Sequence, residues 1–340
     1  MKILVTGTEG YIGQVLAQKL VAAGHNITCV DTCFYTDGYL YEPQVKIPAP
    51  IKKDIRDLQI EDLAGHDAII HLAELSNDPL GQNNPEITYK INHEGSVRLA
   101  RMAKEAGVAR FIYTSSCSIY GVADGIVDET SPINPQTAYA ECKSYVERDV
   151  STLADGTFCP TFLRNATVYG PSPRQRFDLV VNDLCGLAWT TKKITMLSDG
   201  TPWRPLVHIE DVCLAIMSVM EADANLVYNE IFNVGRSDGN YRIRDVAEII
   251  GEVFPGCEVS FGTASGTDTR SYQVSFDKIA RTLPAFKPRF TVRDGARQLK
   301  AIFEQVNMTD ETFKYRNYTR LKQLEYLIET GKVTSDLHWK

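Results

Sequence analysis

The 340-residue sequence lacks a long apolar run, because its most hydrophobic stretches have only the length of a strand. A membrane-spanning helix needs about 20 predominantly apolar residues, so we expect no membrane segment. The chain also opens directly into a predicted β-strand at residues 2–6, without the basic and apolar regions typical of a signal peptide. These absences favour a cytoplasmic protein that does not associate with a membrane.

An excess of basic residues is also lacking. The 36 lysines and arginines are outnumbered by 43 aspartates and glutamates, which gives a formal net charge of −7. Proteins that bind nucleic acid usually carry a basic stripe with aromatic residues, and we find no such stripe, so nucleic acid is not an expected partner. Internal repeats and low-complexity tracts are missing as well. The length predicts about two domains with a large core.

The eight cysteines lack the spacing of a metal site. They contain no CxxC pair and no histidine partner at metal-ligand spacing; their positions are Cys29, Cys33, Cys117, Cys142, Cys159, Cys185, Cys213 and Cys257. We therefore expect most of them to be buried thiols, and we expect no metal ion.

The stretch TGTEGYIG, in contrast, places three glycines between a predicted strand and a predicted helix. Residues 2–6, KILVT, have the composition of a buried strand, and apolar side chains recur at helical spacing from Tyr11 onward. In such a turn Gly7, Gly10 and Gly13 allow a tight bend, a close approach to a pyrophosphate and close packing of helix on sheet. The helix N-terminus adds N–H donors and partial positive charge. The turn therefore predicts dinucleotide binding.

A carboxylate follows the second predicted strand, NITCV at 26–30. Asp31 lies eighteen residues past Gly13, where an acidic side chain accepts hydrogen bonds from the adenosine ribose and repels a 2′-phosphate. The predicted cofactor is therefore NAD rather than NADP.

Strand and helix patterns alternate through the first half of the chain. Further strands are predicted at 67–73, 110–116, 158–166 and 231–235, with a helix at about 86–106. This alternation is typical of an α/β fold with a parallel sheet covered by helices on both faces. We expect a Rossmann-type doubly wound parallel sheet, with the ligands at the carboxyl ends of its strands.

The composition changes after Gly170, where the loop PSPRQRFD leads into a helix-like stretch, and helices and short extended pieces fill the C-terminal part. We expect a NAD-binding domain of residues 1–170 and about 205–235. A smaller, interleaved C-terminal α+β domain of residues 171–204 and 236–340 is expected to bind the substrate.

The stretch TAYAECKSYVERD places a tyrosine and a lysine on one face of a predicted helix. Tyr139 and Lys143 are four residues apart. A phenol with a pKa near ~10 is a poor base at neutral pH, but an adjacent ammonium favours the phenolate. Tyr139 can then remove a hydroxyl proton while Lys143 reaches the nicotinamide ribose. Ser116, at the end of a predicted strand in YTSSCSIYG, is placed to donate to the substrate oxygen. Taken alone, each of these features is also common on structural helices and turns.

Together, these motifs resemble the extended short-chain dehydrogenase/reductase family, and within it the NAD-dependent nucleotide-sugar epimerases and dehydratases. The motifs that occur in the family's order and spacing are TGTEGYIG, Asp31, Asp54 in KKDIRD, HLAEL, Asn92 in INHEG, TSSCSIYG, YAECK and RPLVHIED. The resemblance covers about residues 1–290. It is specific for the family but much less specific for the reaction, and it implies a homodimer.

The family's cofactor contacts carry over by position. They are Gly7, Gly10, Tyr11, Ile12 and Gly13 for the pyrophosphate, Asp31 and Thr32 for the ribose, Asp54 and Ile55 for the adenine, and Leu72, Ala73, Glu74, Asn92, Thr114, Tyr139 and Lys143 along the rest of the cleft. Glu74 departs from the small or apolar residue that is usual at its position. Ser116, Tyr139 and Lys143 match the catalytic triad.

The resemblance also implies a nucleoside-diphosphate sugar as substrate. Arg204 and Arg270 match positions where a guanidinium binds the diphosphate, which suits its planar fork of donors. The further candidates for substrate contacts are Ser116, Ser118, Thr167, Arg174, Arg176 and Asn182. Thr167 stands where the family often has asparagine.

The two positions that directly follow Ser116 indicate which reaction is favoured. Family 4,6-dehydratases usually have an Asp-Glu pair there, and decarboxylases tend to have glutamate at the second position, whereas this chain has Cys117 and Ser118. Dehydration and decarboxylation are therefore disfavoured, and epimerisation through a transient ketone is predicted. Cys117 is either a catalytic acid or base, which requires a lowered thiol pKa, or a small packing residue. A net reductase and a non-catalytic dinucleotide sensor stay as alternatives.

Overall fold

The computed structural model describes residues 1–76, 84–263 and 271–340. Its strands are β1 (Lys2–Thr6), β2 (Asn26–Asp31), β3 (Ile51–Lys52), β4 (Ala68–His71), β5 (Arg110–Ser116), β6 (Val122–Val127), β7 (Cys159–Asn165), β8 (Thr167–Tyr169), β9 (Lys193–Met196), β10 (Trp203–His208), β11 (Ile231–Val234), β12 (Asn240–Arg242), β13 (Glu258–Phe261) and β14 (Ser271–Val274).

The helices are α1 (Tyr11–Ala22), α2 (Ile60–Leu63), α3 (Pro85–Thr88), α4 (Ser96–Glu105), α5 (Ala138–Ser151), α6 (Val180–Thr190), α7 (Ile209–Glu221), α8 (Ala224–Val227), α9 (Ile243–Val253), α10 (Asp277–Thr282), α11 (Val292–Gln305), α12 (Asp310–Lys314) and α13 (Arg320–Glu329). A π-helical segment, Tyr89–Gly95, joins α3 to α4, so the helix predicted at about 86–106 is continuous but not α-helical throughout.

Seven strands in the described ranges form one parallel sheet in the order β11-β7-β5-β4-β1-β2-β3. The predicted doubly wound parallel sheet is therefore confirmed. The chain progresses outward in one direction from β1 through β2, and in the other from β4 through β5. A cleft forms at the carboxyl ends of the strands where this direction reverses.

Alternate side chains of β1 enter two separate cores, as expected for a strand covered on both faces. Ile3 and Val5 pack in one layer with Leu16 of α1. Leu4 points to the other face and packs in a layer with Phe111. The sheet therefore holds the carboxyl ends of its strands between two buried layers.

A smaller unit has a core of its own, to which α6, β9, α9 and α11 contribute Val181, Ile194, Val246 and Phe303. It lies beyond the carboxyl ends of the sheet and contributes to the same cleft.

Two segments of the predicted second domain, 171–204 and 236–340, pack on the main sheet. Residues 271–286 pack through Phe276 and Leu283 into one core layer of the sheet. The last helix, α13, packs through Leu324 and Leu327 into the other layer. Periodicity predicts that such segments are helical, but it does not define the surface on which they pack.

In the described parts of the chain, we find no helix that is both long and apolar enough to cross a membrane.

Candidate active site

A cleft of about 1450 Å³ follows the carboxyl ends of the main sheet. Its Asp31 end is lined by Asp31, Thr32, Tyr35, Asp54 and Arg320, and its Tyr139 end is lined by Glu74, Ser116, Tyr139, Lys143, Thr167 and Arg204. Strands β2 and β5, which lead into the two ends, are separated by β1 and β4. One cleft therefore joins the predicted cofactor residues to the predicted catalytic residues.

The glycine turn has the shape that a diphosphate requires. A Cβ atom on Gly7 would lie 2.8 Å from the Ala73 backbone nitrogen, and a Cβ on Gly13 would lie 2.0 Å from the Gly7 carbonyl oxygen. Gly7 also has a φ of +81°, which favours glycine. Gly10, at the N-cap of α1, leaves the first N–H groups of the helix without a competing side chain. The chain therefore fits the pyrophosphate of a dinucleotide at this turn.

Asp31 is fixed by two backbone N–H groups. Its carboxylate accepts a hydrogen bond of 2.9 Å from Glu9 N and one of 2.7 Å from Cys33 N. Burial nevertheless raises the pKa of this carboxyl to about 6. The carboxylate is held rigidly at the end of β2, as ribose recognition requires.

Asp54 and Ile55 also line the cleft. The Asp54 carboxylate accepts two hydrogen bonds from the Arg56 guanidinium, of 2.9 Å and 2.8 Å. The cleft is also lined by Thr32 next to Asp31, by Tyr11 and Ile12 at the start of α1, by Leu72 and Ala73 after β4, and by Thr114 of β5.

Helix α5 brings Tyr139 and Lys143 to the cleft. Its N-cap, Thr137, accepts a hydrogen bond of 3.2 Å from Ala140 N, which fixes the start of the helix next to Tyr139. The Lys143 Nζ atom lies 5.5 Å from the centroid of the Tyr139 ring and donates to the Thr114 carbonyl at 2.5 Å. The ammonium is thus close enough to favour ionisation of the phenol.

Ser116 ends β5 and caps the short 3₁₀ turn that follows. Its Oγ atom accepts a hydrogen bond of 3.1 Å from Ser118 N, so its own O–H can donate to a ligand. Ser118 lines the cleft as well.

The catalytic hypothesis for Cys117 is not supported by its position. Its side chain is 1% exposed, is absent from the residues that line the cleft, and packs in the sheet core. The thiol donates to the Arg164 carbonyl oxygen at 3.1 Å, and burial raises its pKa well above the usual value. A side chain that donates or accepts a proton in catalysis must reach the substrate, and its pKa must lie near the working pH. The packing alternative is the one that fits.

Three predicted contact residues lie behind the cleft wall and support it. Asn92 accepts a hydrogen bond from Leu75 N and donates to Leu75 O, at 2.8 Å and 2.9 Å. Asn182 accepts from Gly170 N at 3.0 Å and donates to the Tyr11 hydroxyl at 3.1 Å. Both residues hold loops that face the cleft and are not among the residues that line it.

Arg174 is the third of these residues. Its Nε atom donates to the Glu9 carboxylate at 3.0 Å, and its guanidinium lies 3.8 Å from the centroid of the Tyr39 ring. It is therefore bound to the protein behind the glycine turn, away from the predicted sugar site. Arg176, in contrast, does line the cleft, where it pairs with Asp178 at 2.9 Å. Arg270 lies outside the described residues.

Sequence reasoning missed Arg320, which lines the Asp31 end from helix α13. Arg320 is 4% exposed, and its guanidinium lies 3.8 Å from the centroid of the Tyr35 ring. Two more C-terminal side chains hold the loop after Asp31: Gln323 donates to Phe34 O at 2.9 Å, and Trp339 donates to Thr32 O at 2.6 Å. No local motif marks these residues, because the contacts join positions about 300 apart in the chain.

A doubly wound sheet, a turn shaped for a diphosphate, and Ser116, Tyr139 and Lys143 around one cleft define a dinucleotide-binding protein of the short-chain dehydrogenase/reductase class. The chain belongs to the NAD-dependent epimerase/dehydratase family, whose sequence model matches residues 3–235. The predicted resemblance and the predicted cofactor, NAD, are thereby confirmed.

Two proteins of similar sequence are named for different reactions. The chain is 27% identical over 315 residues to the UDP-glucose 4-epimerase of Lactobacillus helveticus, which covers 85% of this chain and 92% of the relative. It is 26% identical over 314 residues to UDP-glucuronic acid decarboxylase 4 of Arabidopsis thaliana, which covers 90% of this chain and 69% of the relative.

Among solved structures, the chain is similar to MoeE5 in complex with UDP-glucuronic acid and NAD. The TM-score is 0.78 at 26% identity, and the match covers 90% of this chain and 99% of that chain. These similarities define the family and the fold, and the reaction has to be argued from the site.

Proposed function

We propose that the protein is an NAD-dependent nucleotide-sugar epimerase that inverts one carbon of its substrate through a transient ketone. The observation that carries this proposal is the pairing of a complete Ser116, Tyr139 and Lys143 set in the cleft with the lack of a carboxylate directly after Ser116. This set suffices for reversible oxidation of an alcohol, whereas elimination of water needs a further acid and base.

The acidic side chains that line the described cleft do not supply that further pair, because each is engaged elsewhere. Their partners are backbone N–H groups for Asp31, Arg56 for Asp54, Lys143 for Glu74, Arg176 for Asp178 and Thr201 for Asp199. This supports epimerisation over dehydration.

In the proposed mechanism, the Tyr139 phenolate accepts a proton from a sugar hydroxyl while the Ser116 O–H donates a hydrogen bond to the same oxygen. NAD held at the glycine turn and Asp31 would supply the acceptor for the hydride of that carbon and the donor for its return. Lys143 stabilises the phenolate by its charge. The ketone then rotates within the cleft so that its opposite face receives the hydride. Tyr139 returns the proton to the oxygen, and the configuration at the carbon is inverted.

Arg204 is the proposed anchor for the sugar-nucleotide diphosphate. It lines the Tyr139 end from β10, and its Nη1 atom donates to the Trp203 carbonyl at 2.9 Å, which orients the guanidinium. An anchor at the diphosphate leaves the sugar free to present either face of the ketone to the hydride donor, which an epimerase requires.

The test is to incubate the native protein with a panel of nucleoside-diphosphate sugars and to follow products by NMR and mass spectrometry. An isomer of unchanged mass is expected. A product lighter by water or by carbon dioxide would overturn the choice of reaction. Denaturing the purified protein and identifying the released dinucleotide checks that the cofactor is NAD and that it is retained between turnovers.

A further inference from the structure

A buried carboxylate sits directly on the catalytic lysine. Glu74 follows β4 and lines the cleft, and one of its oxygens, Oε2, lies 2.5 Å from Lys143 Nζ. The two side chains are 3% and 5% exposed, respectively. Its other oxygen, Oε1, accepts a hydrogen bond of 2.6 Å from the Tyr113 hydroxyl. A third, longer hydrogen bond of 3.4 Å comes to Oε1 from the Ser96 hydroxyl of α4, so Glu74 is fixed by partners from β5, α5 and α4.

The contacts of Lys143 limit what its ammonium can do. An ammonium has three N–H donors, of which one points to Glu74 and one is given to the Thr114 carbonyl at 2.5 Å. One donor is left for any third acceptor. Burial is the largest single influence on the pKa of Lys143 and lowers it, but Glu74 and, after it, Tyr139 together raise it, so the pKa lies above its usual value. The lysine is charged, and its charge is matched by that of Glu74.

Three described titratable groups next to the pair, His71, Tyr113 and Cys142, are neutral. Burial, followed by the charge of Lys143, lowers the pKa of His71 to about 3. Burial and then Glu74 hold the pKa of Tyr113 well above its usual value, and burial and then Glu74 raise that of Cys142 to about 12.

Two charged pairs lie further out. Glu147 is bound by Arg164, with Arg164 Nη2 2.7 Å from Glu147 Oε2, and Arg176 is paired with Asp178. In both pairs the charges offset each other. Among the described residues, Glu74 is thus the carboxylate that contacts the Lys143 ammonium directly.

We propose that Glu74 is a positioning residue that clamps the Lys143 ammonium and offsets its charge, so that Tyr139 releases its proton at a higher pH than it would beside an unopposed lysine. The inference rests on the proposed role of Tyr139 as the acid and base of the reaction. An epimerase must both take and return the proton, and such transfers are most efficient when the acid is not too strong for the return step.

The experiment compares Glu74→Gln with Glu141→Gln in the NAD-loaded protein. Glu141 lies on α5 two residues from Tyr139 and also accepts a hydrogen bond from a tyrosine, Tyr89, but it does not contact Lys143. The two variants therefore lose the same charge and a comparable hydrogen bond. Ionisation of Tyr139 is read from ultraviolet phenolate absorbance without substrate, as the difference between each protein and its Tyr139→Phe version.

Glu74→Gln is expected to move the Tyr139 titration to lower pH by about 1 pH unit, since a charge within ~4–6 Å has effects of this order. Glu141→Gln is expected to leave it in place. The acid limb of the pH profile of kcat/KM should move with the titration. Glu74→Asp, which keeps the charge, should restore the wild-type position, and Glu74→Ala provides a second neutral variant if Glu74→Gln does not fold.

A Tyr139 titration that is equal in wild type and in the neutral Glu74 variants would overturn the inference. Because the titration needs no turnover, it separates this inference from the proposed function. A shifted titration without any sugar isomer would contradict the proposed epimerase activity and support the coupling of Glu74 to Tyr139. A sugar isomer with an unshifted titration would support the epimerase activity and contradict the coupling.

Discussion

The two ends of the cleft are built by different means. At the Tyr139 end, titratable side chains contact each other directly, as in the 2.5 Å approach of Lys143 to Glu74. At the Asp31 end, the carboxylate is held by backbone N–H groups, and the wall is completed by Arg320 from the last helix. The first arrangement couples proton affinities, and the second fixes a shape.

Because of this difference, we expect that turnover and dinucleotide binding can be changed separately by mutation. A change at the Tyr139 end should alter turnover and its pH dependence while the dinucleotide stays bound. A change at the Asp31 end should alter affinity or stability while turnover at saturating cofactor is kept.

The largest effect is expected for Tyr139→Phe. Removal of the hydroxyl eliminates the proposed acid and base, and general acid–base catalysis contributes about 10²- to 10⁴-fold, so kcat should fall by at least about 100-fold. The NAD content of the purified protein should be unchanged. Tyr145→Phe, on the same helix but outside the residues that line the cleft, is the matched control. Wild-type turnover in Tyr139→Phe would contradict the assignment of proton transfer to the Tyr139 end of the cleft.

Arg320→Met should act at the other end. Loss of the guanidinium that lines the Asp31 end should weaken NAD binding to the apoprotein by about 10-fold, which corresponds to about 1.4 kcal/mol. Calorimetric titration with NAD measures this effect, and kcat at saturating NAD should stay near the wild-type value. Arg316→Met removes a C-terminal arginine that pairs with Asp37 and does not line the cleft. Equal affinities in the two variants would contradict the role of Arg320.

Asp31→Asn should change the pH dependence of apoprotein stability. Because burial raises the pKa of this carboxyl from 3.8 to about 6, its ionisation penalises the native state increasingly as pH rises through about 6. The asparagine lacks this penalty. The difference in free energy of unfolding, variant minus wild type, should therefore be larger at pH 8 than at pH 5, by about 1 kcal/mol, so that the variant is relatively more stable at pH 8.

Denaturant unfolding of both apoproteins at the two pH values measures this difference. A relative stability that is the same at both pH values, or that favours the variant at pH 5, would show that Asp31 is not held at a cost for the ribose. Discrimination between NAD and NADP should also weaken in the variant, since the repulsion of a 2′-phosphate is lost.

Much of both ends could be predicted from short-range sequence patterns. The turn at Gly7 and Gly13, the carboxylate of Asp31 and the i, i+4 spacing of Tyr139 and Lys143 all depend on local backbone geometry, which a strand or a helix fixes within a few residues. The parallel sheet then brings these positions to one edge.

What the sequence could not reveal depends on packing between distant segments. Cys117 adjoins Ser116, but the start of a 3₁₀ turn directs its thiol into the core instead of the cleft. Arg174 could not be separated from Arg176 until the structure paired it with Glu9. Arg320 reaches the cleft only because α13 packs on the sheet, and nothing in its neighbourhood along the chain indicates this.

The central proposal is that Tyr139 moves only a hydroxyl proton, while the carbon-bound hydrogen leaves and returns as a hydride within the cleft. The most direct measurement is to convert the nucleoside-diphosphate sugar found in the panel in deuterium oxide, and to determine carbon-bound deuterium in the isomer by NMR and mass spectrometry. The account predicts that the inverted carbon carries no deuterium. Deuterium at that carbon would contradict the account, because the inversion would then proceed by removal of a carbon-bound proton next to a ketone.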